Sequence, residues 1–217
     1  MKLPIYICFI SLWAVGAQGR LAGATNGGDG EACPEITTLA DFDLDAYASA
    51  KWYVHEQAVT TYLPKDNNYC VTAEYTVMNR RTFWGYTVRV NNSAKNVEGE
   101  EFGGILYAAQ NKDELAKLKV APGFLPQFLA GPYWILDYQE STADQEGYAL
   151  IIGGQPNVRT KNGGCTTKNR WITSSGGLWI FTRSPARNQA LVDTLKERLA
   201  NQYGLDVSVL NRVDHSD

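Results

Sequence analysis

The residue types that carry most protein chemistry are scarce in this 217-residue chain, which has two histidines and four cysteines. Cys8, Cys33, Cys70 and Cys165 stand far apart, and no two have the Cys-x-x-Cys spacing of zinc sites or thioredoxin-like redox sites. No serine lies in a Gly-x-Ser-x-Gly sequence, and no nucleophile stands beside a base and an orienting group. We therefore expect no metal, no cofactor and no enzymatic activity.

The charge balance excludes a further class of function. Lys and Arg number 20 against 23 Asp and Glu, which gives a net charge of −3. A chain without a basic excess is a poor ligand for the phosphates of nucleic acid. With 44% hydrophobic and 12% aromatic residues, the composition is that of one globular domain rather than of a disordered chain.

The N-terminus has the three parts of a secretory signal peptide. Met1–Lys2 is a positive start, Leu3–Val15 is an apolar run, and Gly16–Gly19 supplies small residues at cleavage spacing. We predict a signal peptide over 1–19, a mobile tail over 20–32, and a secreted protein that is extracellular or lumenal.

Cleavage removes Cys8 and leaves three cysteines in an oxidising compartment. An odd number predicts one disulfide and one free thiol. Asn91-Asn92-Ser93 is an N-glycosylation sequon, so a glycan on Asn91 is a further prediction for a secreted chain.

Most of the chain between Asp41 and Arg183 consists of short segments in which apolar and polar residues alternate. This pattern is typical of strands with one buried face. Turn-forming residues separate eight such segments, which predicts an all-β sandwich or barrel. The segments are 52–60, 70–77, 82–90, 101–109, 116–120, 127–138, 147–153 and 177–182.

One segment has a helical period instead. Arg187 to Tyr203 places leucines four residues apart on one face and charged residues on the other. Ser184 fits the N-cap of this helix. Gly204 fits a residue in the left-handed conformation that ends it. We predict a closed barrel with this helix packed outside, and a last short strand over 206–210. The polar stretch Gln155–Gly177 is expected to be an insertion pinned by a disulfide at Cys165 rather than a ligand lid.

Three motifs, in order along the chain, resemble the conserved regions of the lipocalins. Ala50-Lys51-Trp52 resembles the Gly-x-Trp at the start of the first strand, and Leu136-Asp137-Tyr138 resembles the Thr-Asp-Tyr turn. Leu178–Arg183 resembles the last strand, which ends in Arg before the helix. Ala50 and Leu136 stand where the family usually has Gly and Thr. Neither change affects the residue pattern that predicts a barrel.

The resemblance covers residues 33–213, nearly all of the predicted mature chain. Cys33-Pro34, Lys117–Val120 and Asp206–Leu210 further resemble the apolipoprotein D and bacterial lipocalin branch. The long Gln155–Gly177 insert departs from the short connection that the family has at that place, and this puts the family's disulfide pattern in doubt.

The resemblance implies an eight-stranded antiparallel up-and-down β-barrel, or calyx, that binds a small hydrophobic ligand, with one C-terminal α-helix outside. It also implies that Trp52 plugs the closed end and that Arg183 packs across the indole ring. Asp137 and Tyr138 are expected to form a turn at that end.

Strand alternation predicts which side chains face the calyx. Counting from Trp52 places Val54 and Glu56 inside and His55 on the outer surface. The other candidate ligand contacts come from the apolar faces of later strands. They are Tyr75, Val77, Trp84, Tyr86, Val88, Phe102, Tyr107, Leu118, Val120, Tyr133, Ile135, Leu150 and Ile152.

Such a lining suits an apolar ligand with one or two polar groups, because Tyr and Trp combine an apolar body with a polar tip. Fatty acids, retinoids, sterols, bilins and other pigments are of this class. Two alternatives stay open: an enzyme acting on a lipid or polyene pigment in the calyx, and a protein-binding or inhibitor module. In the second case Trp84, Tyr86, Tyr107 and Trp134 would fill the barrel.

Two further predictions concern the barrel's open end. Gly123–Leu129 is apolar and is expected to line the mouth, with transient membrane or lipoprotein contact as the alternative. Topology brings Cys70 and the loop of Cys165 to this end, which favours a Cys70–Cys165 disulfide and leaves Cys33 free for an intermolecular bond in a dimer. The resemblance allows Cys33–Cys165 instead, since the family's Cys-Pro cysteine often pairs with a late strand.

Overall fold

A computed structural model describes residues 32–60, 64–168 and 176–216 of the chain. The predicted signal peptide and all but the last residue of the predicted tail lie outside these residues. Within them, no helix is long and apolar enough to cross a membrane.

Short strands dominate the order of elements. Eleven strands and two α-helices are present in the described ranges, together with three 3₁₀ turns at Lys65–Asn67, Gln127–Leu129 and Val207–Val209. The helices are α1 (Leu44–Ala48) and α2 (Gln189–Tyr203). The strands are β1 (Trp52–Ala58), β2 (Tyr69–Val77), β3 (Val88–Lys95), β4 (Glu101–Gln110), β5 (Lys117–Ala121), β6 (Gly131–Gln139), β7 (Tyr148–Ile152), β8 (Val158–Arg159), β9 (Cys165–Thr166), β10 (Leu178–Thr182) and β11 (Leu210–Arg212).

Eight of these strands form a closed antiparallel barrel, as the sequence predicts. Strands β1 to β7 pair in chain order, and β10 pairs with both β7 and β1. Tyr53 of β1 lies opposite Thr182 of β10, while Trp52 lies opposite Ala73 of β2. The barrel closes because its first and last strands are hydrogen-bonded to each other.

Helix α2 packs on the outside of the barrel with its leucine face inward. Val192, Leu195 and Leu199 are buried against the outward side chains of β7 and β10, such as Leu150 and Ile180. The helix begins at Gln189 rather than at Arg187, because its N-cap is Asn188 and not the predicted Ser184. The Oδ1 atom of Asn188 accepts a hydrogen bond from the amide of Leu191 at 3.2 Å.

The C-terminal segment after α2 fills a seam in the barrel wall. Strand β1 pairs with β2 at only two positions, and β11 pairs with the rest of β1 at Glu56, Gln57 and Ala58. The amide of Cys70 then donates to the carbonyl of Asp214 at 2.7 Å, so the segment also joins the start of β2. The predicted strand over 206–210 is therefore displaced: 207–209 is a 3₁₀ turn and the strand follows it.

Two histidines lie where this C-terminal segment meets β1, and His55 is buried whereas His215 is half-buried. The Nε2–H groups of His55 and His215 donate to the carbonyls of Ser184 and Val54, at 2.9 and 2.8 Å. The two rings are 5.1 Å apart and line a cleft of about 240 Å³. The prediction that His55 lies on the surface is thus wrong. Burial lowers the pKa of both imidazoles below the ordinary value of 6.5.

The stability of the protein should therefore fall as the pH drops below about 6.5. The unfolded chain, with ordinary histidines, takes up protons there that the native imidazoles resist, so acid favours unfolding. The loss of stability begins near the histidine pKa of the unfolded chain. It is complete once the pH is below the lowered pKa values of native His55 and His215. Urea unfolding at a series of pH values between about 7.5 and about 5 measures it. The double variant His55→Gln/His215→Gln should flatten this dependence; an unchanged slope would contradict the assignment.

The disulfide joins Cys33 to Cys165, with Cα atoms 5.8 Å apart. The predicted Cys70–Cys165 pairing is wrong, and of the three cysteines that the structure describes, Cys70, not Cys33, is free. The physical reason is the path of the 155–168 segment. The amide of Cys165 donates to the carbonyl of Gly204 at 2.9 Å, which holds β9 against the end of α2 and beside the N-terminal segment. A dimer through a free Cys33 is excluded by the same bond.

Candidate functional site

One end of the barrel is filled by an aromatic cluster built around Trp52. Helix α1 supplies Tyr47, whose carbonyl accepts a hydrogen bond from the indole Nε1–H at 2.9 Å. The Arg183 guanidinium carbon lies 3.5 Å from the centroid of the Trp52 ring. Arg183 also donates to the carbonyls of Ala46 and Tyr47, both at 3.1 Å, and pairs with Glu140 at 2.8 Å. These bonds attach the N-terminal segment to the last barrel strand.

Tyr138 and Asp137 lie at this end but on different sides of the wall. They do not form the predicted turn, because the pairing of β6 with β7 continues past them to Gln139. The Tyr138 ring packs on Tyr47 and Trp52 in edge contacts, with centroids 5.5 and 6.0 Å apart. Asp137 instead points outward and forms an ion pair with Arg198 of α2. The Asp137 carboxylate therefore helps to hold the helix on the barrel.

Three tyrosine hydroxyls meet inside the barrel beside this cluster. The hydroxyl of Tyr133 lies 2.7 Å from that of Tyr47 and 2.7 Å from that of Tyr75. Burial raises the pKa of Tyr47 and of Tyr133 well above the ordinary value of 10. Both therefore stay protonated at any physiological pH. We call this group the tyrosine trio: Tyr47, Tyr75 and Tyr133.

The rest of the interior is apolar. Eight of the predicted ligand contacts lie in one cluster with Trp52: Val54, Tyr75, Val88, Phe102, Leu118, Val120, Tyr133 and Ile135. Most are fully buried, whereas Phe102, Val120 and Tyr133 keep some accessible surface. A guest in the barrel would meet these partly accessible side chains. Their role in ligand binding stays a prediction.

Glu56 and Leu150 were predicted to face inward, and both predictions are wrong. Glu56 lies under α2, where its carboxylate pairs with Arg187 and with the Lys196 Nζ at 2.8 Å. The cause is an irregular register between β1 and β10 from Val54 to Glu56, which turns the strand over and reverses the alternation. Leu150 belongs to the cluster under α2, and so does Ile152.

Trp84, Tyr86 and Tyr107 also lie outside the barrel, and Trp134 packs in the cluster under α2, so the prediction that these four residues could fill the barrel is wrong. Strand β3 begins at Val88, and 78–87 form a loop rather than the predicted strand start. Tyr86 is buried beside Ala121, on the outer face of the wall. Tyr107 alternates with the inward Ala108 and therefore joins the same outer cluster. Val77, at the end of β2, is exposed.

The apolar loop predicted to line the mouth folds against the outer wall instead. Leu125 packs with the outer cluster, and its carbonyl accepts from the Tyr86 hydroxyl at 3.0 Å. A Cβ on Gly123 would stand 2.7 Å from the Tyr107 ring, so the absence of a side chain there lets the loop close over that ring.

Several interior residues were missed. Ile151, Trp179 and Phe181 face the cluster around Trp52, as does Tyr47. Strands β7 and β10 carry apolar residues on both faces, so alternation could not orient them. Tyr47 has a local signal: Asp43 caps α1 by accepting from the amides of Asp45 and Ala46.

Solved structures with the same fold include proteins from a cockroach, a lobster and a hornworm. A cockroach allergen, Per a 4, is 17% identical with a TM-score of 0.54, covering 85% of this chain and 95% of that chain. Lobster apocrustacyanin A1 is 16% identical with a TM-score of 0.53, covering 86% and 92%. Insecticyanin from the tobacco hornworm Manduca sexta is 18% identical with a TM-score of 0.55, covering 85% and 87%.

At these identities the likeness concerns the fold alone: a closed eight-stranded barrel with one extra strand and a C-terminal helix outside, which is the lipocalin fold. No family model matches the chain, and no curated protein matches its sequence.

Proposed function

We propose that this chain, which has the lipocalin fold, is a secreted carrier that holds one small hydrophobic molecule inside its barrel and catalyses no reaction on it. The observation that carries the proposal is the pairing of an apolar, partly accessible inner wall with the tyrosine trio. Phe102, Val120 and Trp179 offer apolar surface to a guest. The disulfide Cys33–Cys165 fits an oxidising compartment.

The tyrosine trio supports a guest with a polar group at one end. A phenol hydroxyl both donates and accepts hydrogen bonds, so the chain of hydroxyls can match either an acceptor or a donor of the guest. Because the pKa of Tyr133 is raised, the site stays uncharged. A fatty acid, retinoid, sterol or bilin has the required form. Burial of about 200–300 Å² of guest at about 25 cal/mol per Å² contributes about 5–7 kcal/mol before ordering costs. A micromolar affinity needs about 8 kcal/mol, so polar contacts with the tyrosine trio must supply part of it.

A pair of neighbouring substitutions on β5 tests whether the guest sits inside. Val120 faces the interior, whereas Lys119 faces solvent. Val120→Trp should abolish binding of fatty acid, retinol and biliverdin, measured by quenching of intrinsic tryptophan fluorescence, because the indole occupies the guest's space. Lys119→Trp is the matched control and should bind as the native protein does. If native protein quenches with none of the three, the carrier proposal is overturned.

The Tyr133→Phe variant tests the polar end of the site. The change removes the central hydroxyl of the tyrosine trio and should weaken binding of a polar-ended guest about three- to tenfold. The hydrocarbon analogue without the polar group should bind unchanged. Tyr203→Phe, which removes a hydroxyl bonded to the Leu136 carbonyl outside the barrel, is the control. Equal weakening of both guests by Tyr133→Phe would exclude the trio as the polar contact.

A further inference from the structure

Four aromatic side chains on two loops are exposed to solvent. The exposed fractions are 91% for Phe83, 39% for Trp84, 76% for Phe124 and 79% for Phe128. Phe83 and Trp84 belong to the loop between β2 and β3, and the other two to the loop between β5 and β6. We call these four residues the aromatic patch. Exposed phenylalanines grouped in this way on a small domain mark an interaction surface.

Hydrogen bonds between the two loops make the aromatic patch one surface. The Trp84 Nε1–H donates to the carbonyl of Phe124 at 3.1 Å, and the Gln127 amide donates to the carbonyl of Trp84 at 2.9 Å. Beneath them the fully buried Tyr86 ring anchors both loops through its hydroxyl bond to Leu125. The rings are therefore held outward by the fold, and they do not serve the barrel interior.

The charge around the aromatic patch is positive, in contrast to the net charge of −3 for the whole chain. Residues 75–97 and 115–136, which contain both loops, include six Lys and Arg and no Asp or Glu. Arg80 and Arg81 are exposed and precede Phe83 with one residue, Thr82, between, and Arg89 and Lys119 point outward on β3 and β5. None of these four cations forms an ion pair with any residue that the structure describes.

We propose that the aromatic patch docks the protein on the surface of an anionic phospholipid membrane. Phe and Trp rings partition into the boundary between headgroups and acyl chains. Arg80 and Arg81, at the rim of the patch, then face the lipid phosphates and gain from the negative surface potential. A second copy of this chain fits less well, because a two-fold contact through the patch brings two basic rims together. The proposal does not depend on what the barrel carries.

Co-sedimentation of the full chain with vesicles is the direct test. We expect binding to vesicles of phosphatidylcholine with phosphatidylglycerol, at least about fivefold weaker binding to phosphatidylcholine alone, and loss of binding at high salt. Phe83→Ala/Phe124→Ala/Phe128→Ala should reduce the affinity at least about tenfold. Val59→Ala/Val97→Ala, which removes exposed apolar side chains elsewhere, should leave it unchanged.

The charge is tested by a second matched pair. Arg80→Glu/Arg81→Glu should reduce binding to the anionic vesicles by about tenfold or more. Lys161→Glu/Lys168→Glu changes the net charge equally at exposed positions away from the patch and should have a much smaller effect. Equal loss in the two double variants would overturn the proposal in favour of general electrostatic attraction.

Fluorescence quenching locates the contact. Lipids brominated on the acyl chain near the headgroup should quench part of the tryptophan emission, and Trp84→Phe should remove that quenched part. Quenching that persists in Trp84→Phe but disappears in Val120→Trp would place the lipid in the barrel and overturn the docking proposal. So would a dimer in solution that the triple Phe variant converts to monomer.

Discussion

Trp52→Ala should lower the free energy of unfolding by about 3–5 kcal/mol, the largest effect we expect from a single substitution. The indole is fully buried, donates to the Tyr47 carbonyl, and lies under the Arg183 guanidinium. Its removal leaves a cavity at the end of the barrel, and the surrounding aromatic rings cannot collapse into that space without leaving their own contacts.

Equilibrium urea unfolding, followed by far-ultraviolet circular dichroism, measures this loss. Trp84→Ala is the matched control, because the same side chain is removed from an exposed position. It should cost less than about 1 kcal/mol. If the two variants lost similar amounts of unfolding free energy, Trp52 would not be the residue that closes this end of the barrel. Arg183→Met, which keeps part of the side-chain bulk over Trp52, should cost less than Trp52→Ala.

Removal of the disulfide by Cys33→Ser/Cys165→Ser should destabilise the protein by about 2–5 kcal/mol. The bond spans 132 residues of sequence, so without it the unfolded chain regains much conformational entropy. In the native state the bond also ties the N-terminal segment to β9, which in turn is bonded to the end of α2. The change therefore loosens the segment that leads into the aromatic cluster at Trp52.

The free cysteine supplies the control for this second prediction. Cys70→Ser leaves the disulfide intact and should change the stability by less than about 1 kcal/mol. Addition of a reductant should destabilise the native protein and the Cys70→Ser variant equally, and leave the double variant unchanged. A large loss in Cys70→Ser that reductant does not increase would show that Cys70 holds the disulfide.

The proposed carrier site and the aromatic patch use different surfaces of one wall. Along β4, Leu106 and Ala108 face the interior while Tyr107 faces the outer cluster that supports the patch. The alternation of strand residues therefore builds both surfaces from neighbouring positions. Variants of the inner wall and variants of the patch should act independently, since they share no contacts.

The sequence by itself determined the architecture. Eight alternating segments and one late amphipathic segment predicted the eight barrel strands and the outer helix α2, because a period of two or of 3.6 residues is a local property that burial of one face requires. The position of Trp52 at the start of β1 and of Arg183 after β10 likewise followed from motifs along the chain. The ends of the strands were predicted less accurately. β3 begins at Val88, six residues later than the alternation predicted.

Only the tertiary structure decided which side chains face the interior and which cysteines pair. The irregular register at Val54 and Glu56 arises between two strands that are far apart in sequence, and it moves Glu56 to the ion pairs under α2. Both faces of β7 are buried, so the pattern of apolar and polar residues in its sequence could not show which of its side chains face the interior. The pairing of Cys33 with Cys165 depends on how the 155–168 segment packs beside α2. These outcomes depend on contacts between segments that are far apart in the sequence. The periodicity of a strand or a helix depends only on residues that are close together in the sequence.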